Sequence, residues 1–168
     1  MPKLIKDGQI IEDVWQTLPK TSMPESQSIP QAHVIVPLST WLAQKEALSM
    51  RDRDSLGVWL DSDEAPEDIA DDVNRFAVIA VHFPTFADGR GYSIGRLLRE
   101  RYGFKGALRA MGDIFKDNLF YLKRCGFNAF ALPETEDLQD ALKGLETFSD
   151  AYQAAVDQPL PLFRRRAG

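Results

Sequence analysis

Apolar positions along this chain follow two rhythms. Short runs at 34–36, 56–60, 77–82, 107–111 and 128–132 are apolar at nearly every position and rich in Val, Leu, Ile and Ala. Such runs read as strands covered on both faces. Each is followed by helical spacing. Residues 39–50 place Trp41, Leu42, Ala47 and Leu48 on one side, and Pro66 opens a short helix with Ile69, Val73 and Phe76 inward. Residues 93–102 turn Ile94, Leu97, Leu98 and Tyr102 inward, and 115–124 turn Phe115, Leu119 and Leu122 inward. The longest stripe runs over 136–156 through Leu138, Ala141, Leu142, Leu145, Phe148, Tyr152 and Ala155.

Five strand-then-helix units, with strand starts about 20–30 residues apart, predict βαβ crossovers and a parallel sheet. The expected fold is α/β: about five βα units forming a mostly parallel open sheet with helices on both faces. A truncated (βα) barrel built from the same units is the alternative. Ahead of them, apolar pairs flank Asp7-Gly8, the signature of an N-terminal β-hairpin. Residues 19–31 contain three prolines and four serines or threonines and read as a surface linker. Residues 1–157 are expected to form a single domain, and 158–168, with two prolines and Arg164-Arg165-Arg166, a mobile tail.

Composition narrows the setting. The chain has 168 residues, enough for one sizeable core, and no apolar run long enough to span a membrane. The first residues lack the apolar core of a signal peptide, and one cysteine, Cys125, cannot form an internal disulfide, so a cytoplasmic location is expected. A net charge of −5 argues against nucleic acid as a partner. The charge is unevenly spread: residues 52–72 hold nine acids and one arginine, whereas 90–124 hold nine Lys/Arg and three acids. Two solvated faces of opposite sign account for this, as does a basic face for an anion or an acidic partner.

Ligands of such folds sit at the carboxyl ends of the strands. That rule selects Asp61 and Asp63 after the second strand, His82, Asp88 and Arg90 after the third, Asp113, Asp117 and Asn118 after the fourth, and Glu134 after the fifth. The stretch from Gly89 to Gly95 has the spacing GxGxxxG, and a glycine turn opening a helix can receive a phosphate on free N–H groups. It follows the third strand, and no ribose-binding acid stands about 20 residues on, so a dinucleotide is not expected. Arg109 lies inside a strand, where an unpaired charge is costly. It reads either as half of an ion pair, with Asp88 or Asp113, or as a grip on an anion. The candidate anion- or partner-binding residues are therefore Asp88, Gly89, Arg90, Gly91, Ser93, Arg109 and Asp113. His33, His82 and Cys125 lack zinc-ligand spacing, so no metal is expected. His82 reads as a core or supporting histidine and Cys125 as an inert structural thiol.

Four stretches carry a family resemblance: Phe86-Ala-Asp-Gly-Arg-Gly-Tyr-Ser, Arg96-Leu-Leu-Arg-Glu-Arg-Tyr-Gly-Phe, Leu108-Arg-Ala-Met-Gly-Asp-Ile and Asp117-Asn-Leu-Phe-Tyr-Leu-Lys-Arg-Cys-Gly-Phe-Asn-Ala-Phe. Over about residues 76–153 the chain resembles the bacterial domain-of-unknown-function family numbered 934, with a looser likeness back to Val34. Gly95 stands where the resemblance leads one to expect alanine. Members of that family are commonly encoded beside assimilatory sulfite reductase and the sulfonucleotide reductase, and some are labelled oxidoreductases of sulfite reduction. The resemblance thus implies a role in sulfur assimilation and supplies no catalytic residues. A reductase needs a redox carrier, yet no dinucleotide fingerprint, cysteine cluster or CxxC pair is present. The first expectation is an accessory protein acting with sulfite reductase or the sulfonucleotide reductase, with no cofactor of its own. The second is an enzyme or sensor binding a small anion at Asp88, Arg90, Arg109 and Asp113. The third is a purely structural subunit.

Overall fold

The computed structural model describes residues 2–151, with side chains to residue 145. The predicted hairpin is present: β1 (Lys3–Lys6) and β2 (Gln9–Glu12) pair antiparallel, with Ile5 opposite Ile10. Both turn residues have positive φ, 51° at Asp7 and 77° at Gly8, which is the backbone a two-residue turn needs to match strand twist. The five predicted strands also form, as β4 (Val34–Pro37), β5 (Leu56–Asp61), β6 (Val78–Phe83), β7 (Ala107–Gly112) and β8 (Ala129–Ala131). A short strand, β3 (Gln16–Thr17), had no apolar signal of its own and pairs in parallel with β4.

The sheet has eight strands in the order β2-β1-β8-β7-β6-β5-β4-β3. From β3 to β8 the strands are parallel and lie side by side in chain order. Unreversed order with right-handed crossovers puts every connecting helix on the same face. The core shows this. Strand residues Val36, Val58, Leu60, Ile79, Val81, Leu108 and Ala110 pack in one cluster with Trp41, Ile69, Ile94, Leu122 and Ala141 from the helical segments. The opposite face carries a smaller cluster of Ile35, Trp59, Val78 and Ala80, packed against Trp15 and without helices. The arrangement is therefore the partial-barrel form, and the expected helices on both faces are replaced on the inner face by an N-terminal strap.

Chain geometry requires the curl. β2 and β3 lie at opposite edges of the sheet, yet Glu12 and Gln16 are joined by a span of only about 14 Å at full extension. Eight strands laid flat would separate those edges by roughly 33 Å. The sheet bends so that residues 13–15 can cross its concave side. Asp13 on that strap forms a forked ion pair with Arg109, at 2.9 and 3.0 Å, and the Nε1 of Trp59 donates to Leu18 O at 2.8 Å.

The helical segments follow the predicted units with shifted ends. They are α1 (Leu38–Ala43), α2 (Lys45–Leu48), a 3₁₀ stretch Pro66–Arg75, α3 (Gly89–Arg96), a wider turn Leu97–Arg101, α4 (Leu119–Arg124) and α5 (Leu138–Ala151). The expected inward residues Phe148, Tyr152 and Ala155, and the tail 158–168, lie outside the described side chains. Arg99 closes the amino end of the sheet. It donates to the carbonyls of Gly126, Phe104 and Gly106 and to Asn128 Oδ1, all within 3.1 Å. Burial makes its charge harder to hold and lowers its pKa.

Candidate functional site at the carboxyl mouth

Register sets which side chains meet on the concave face. The middle row is Trp59, Ala80, Arg109 and Ala129, and the row toward the carboxyl ends is Asp61, His82, Met111 and Ala131. Neighbouring strands thus place Asp61 beside His82, and Asp61 Oδ1 lies 3.1 Å from His82 Nδ1. The carboxylate can only accept, so Nδ1 carries the proton and Nε2 is the acceptor face of the neutral ring. Nε2 has no hydrogen-bond partner among the described residues, and the side chain is 35% exposed. Trp59 meets the ring edge-on at 5.9 Å.

Further groups extend this pair into a chain. Lys20 donates to Asp61 Oδ2 at 3.0 Å, and Glu64 Oε1 accepts from the Asp61 amide at 2.7 Å. The Ser62 amide donates to Asp61 Oδ1 at 3.0 Å, and its hydroxyl donates to Asp88 Oδ2 at 2.7 Å. Burial alone would raise the Asp61 carboxyl. Hydrogen bonds from Lys20, His82 and the Ser62 amide outweigh it and hold the group below its ordinary value. Burial likewise opposes the Lys20 charge, but Asp61, Glu64 and Asp63 prevail and push its pKa up.

The glycine turn serves packing. Asp88 caps α3 by accepting from the Arg90 amide at 3.0 Å, so the helix begins four residues earlier than its apolar pattern indicates. A Cβ on Gly91 would run into the Phe83 ring, and one on Gly95 into the Phe127 ring. These two glycines, one turn apart, let α3 lie close against the aromatic core. An alanine at 95 requires Phe127 to move. Ser93 returns its hydroxyl to Gly89 O at 3.3 Å, and Gly89 itself stands in open space.

Of the predicted site residues, Asp88, Gly89, Arg90, Gly91 and Ser93 gather at the start of α3, and Asp113 joins them by accepting from the Phe86 amide at 3.1 Å. Arg90 is committed to Asp88, with its Nε at 3.0 Å and a terminal nitrogen at 2.9 Å. Hydrogen bonds from Arg90 and then Ser62 hold the Asp88 carboxyl far below the usual carboxylate range. Arg109 does not join this group. Its partner is Asp13, not Asp88 or Asp113, and it lines a groove at the amino ends of the strands, whereas Arg90 lines an open depression of ≈ 730 Å³ at the carboxyl ends. Asp13 escaped notice because it sits in a strap whose course depends on sheet curvature. Lys20 was hidden in a linker-like stretch. Asp61 and His82 were both legible as strand-end residues, but nothing in the sequence paired them.

Among the described residues no helix is long and apolar enough to cross a membrane, and no three His, Cys, Asp or Glu residues gather as a metal site. The fold and mouth define a mixed α/β protein built on a curled, mostly parallel half-barrel with a polar carboxyl end. The profile of a bacterial protein family of unknown function, DUF934, matches residues 57–163, and the chain belongs to that family. Comparison with curated proteins and with solved structures gives no match.

Proposed function

We propose that this chain is a cytoplasmic accessory protein of assimilatory sulfate and sulfite reduction, acting with sulfite reductase without carrying the electrons itself. The sulfur assignment comes from the family resemblance described above. The observation that carries the accessory role is the state of the sole thiol. Cys125 is wholly buried beneath the end of α4, and burial pushes its pKa up against the opposing pull of Arg96 and Arg124. A thiol redox relay needs an accessible, readily ionised sulfur, and Cys125 is neither.

The reading is tested in cells grown on sulfate as sole sulfur source. A strain lacking the gene should grow slowly on sulfate and normally on cysteine, and the tagged protein should co-purify with sulfite reductase identified by its own activity. Normal growth on sulfate together with no sulfite reductase in the purified material sinks the reading.

An enzyme or sensor with its site at the carboxyl ends is the second reading. The free Nε2 of His82 favours a site there. The anion part is less well supported, because Arg90 and Arg109 each already face a carboxylate.

A further inference from the structure

We propose that His82 is a general base at the carboxyl mouth, positioned by Asp61, for a small neutral or cationic substrate that carries a dissociable proton. This goes beyond the accessory role and does not depend on the sulfur assignment. Three observations converge. The first is orientation: Asp61 Oδ1 holds Nδ1 at 3.1 Å from the adjacent strand, and Asp61 is itself fixed by Lys20 and the Ser62 amide. A carboxylate that sets the tautomer and stabilises the imidazolium is the supporting half of a histidine base.

The second is access. Nε2 has no partner among the described residues, and the ring is 35% exposed at the end of the fold where half-barrels place ligands. Gly112 keeps the space beside it clear. With φ of +97° it ends β7, and a Cβ there would lie 3.0 Å from Nε2 and 2.8 Å from Cδ2 of the same ring. The third is charge. Asp61 comes from β5, Asp63 and Glu64 from the turn after it, and all three act on Lys20. Trp59 and Met111 add uncharged surface. Three acids to one base around the Asp61 carboxylate disfavour an anionic substrate.

The proton-transfer step balances without any added reagent. Nε2 takes the proton of the substrate, or of a water attacking it, and the imidazolium returns it to the leaving group. The probe is 4-nitrophenyl acetate, a neutral ester. Water adds to the carbonyl carbon as Nε2 takes its proton, and the bond to the nitrophenolate oxygen breaks as the imidazolium returns that proton to it. The products are nitrophenol and acetic acid, which ionises to acetate by releasing its proton to solvent. The chain has two histidines, so His33→Gln isolates His82.

A positioned base contributes roughly 10²–10⁴-fold on its own substrate, and at least about tenfold is expected on this unmatched ester. His82→Gln should lose that increment and the rise of rate with pH. His33→Gln should keep both. Asp61→Asn should lower the rate and move the pH midpoint, which a merely structural role would not do. Nitrogen NMR of the wild-type ring gives a second measurement that needs no variant to fold: the neutral imidazole should carry its proton on Nδ1. An unchanged rate in His82→Gln, an unchanged rate and midpoint in Asp61→Asn, or a neutral ring protonated on Nε2 would each overturn the proposal.

Discussion

The two ends of the curled sheet treat charge in opposite ways. At the carboxyl end the groups around His82 and the start of α3 are paired with one another: Lys20 with Asp61, Asp61 with His82, Asp88 with Ser62 and Arg90. At the amino end a groove of ≈ 510 Å³ is lined by Lys6, Arg53, Lys105 and Arg109 together with Asp7, Glu12 and Asp54, and Lys6, Arg53 and Lys105 have no ion-pair partner among the described residues. The general rule for parallel sheets sends an anion to the carboxyl end, and the arginines expected to receive it are neutralised there or absent. Placement at a strand end makes a residue available to a ligand only if its neighbours leave it free. Within the paired cluster at the carboxyl end, a histidine nitrogen is left free among the described residues.

The largest test of this contrast is the ion pair between the two ends. Arg109→Ala leaves the part-buried Asp13 without its partner, and a loss of about 3 kcal/mol in urea unfolding is expected. Replacing both, Arg109→Met with Asp13→Leu, should restore most of it, since well-packed apolar residues often substitute for a buried pair. A loss below about 1 kcal/mol in the single variant would mean that the strap is not pinned there.

Next comes the amino-end staple. Arg99→Ala removes the donor to three backbone carbonyls and should cost about 2–3 kcal/mol, measured the same way. Gly91→Ala follows, at about 1–3 kcal/mol, because its methyl displaces the Phe83 ring. An Arg90→Ala variant that costs more than Gly91→Ala would reverse the view that the glycine turn is chiefly a packing device.

The smallest effect is read against pH. The Asp88 carboxyl is depressed in the fold, so it contributes stability above its ordinary pKa and loses it as pH falls toward its folded value. Asp88→Asn should therefore be less stable than wild type at neutral pH, with the gap narrowing only below the usual carboxylate range. Paired melting curves from pH 7 down to about pH 2 check this. A gap that is constant over that range would show that Asp88 acts through shape alone.

Much of the local structure was legible because it depends on neighbours in the chain. Asp7-Gly8 favours positive φ in a two-residue turn, and Val78 to Val81 cannot avoid burial. Nor does Cys125, at the end of an apolar helix, need tertiary knowledge to be read as inert. Other features depend on distant residues. Arg109 was recognised as needing a partner, but Asp13 is 96 positions away and reaches it only because the sheet curls. Gly91 and Gly95 read locally either as an anion turn or as a purely structural one, and the Phe83 and Phe127 rings against them decide for packing. The start of α3 was misjudged because Asp88 caps a first turn with little apolar content.

The amino-acid sequence by itself determined the elements, their order and the strand ends where polar residues cluster, since hydrophobic rhythm and turn chemistry act over a few residues. It also carried the family resemblance. Only the tertiary structure decided that the strands lie in unbroken order, that one face takes helices and the other a strap, and that Asp61 meets His82. Those outcomes are set by register and curvature, which bring together residues that share no local pattern.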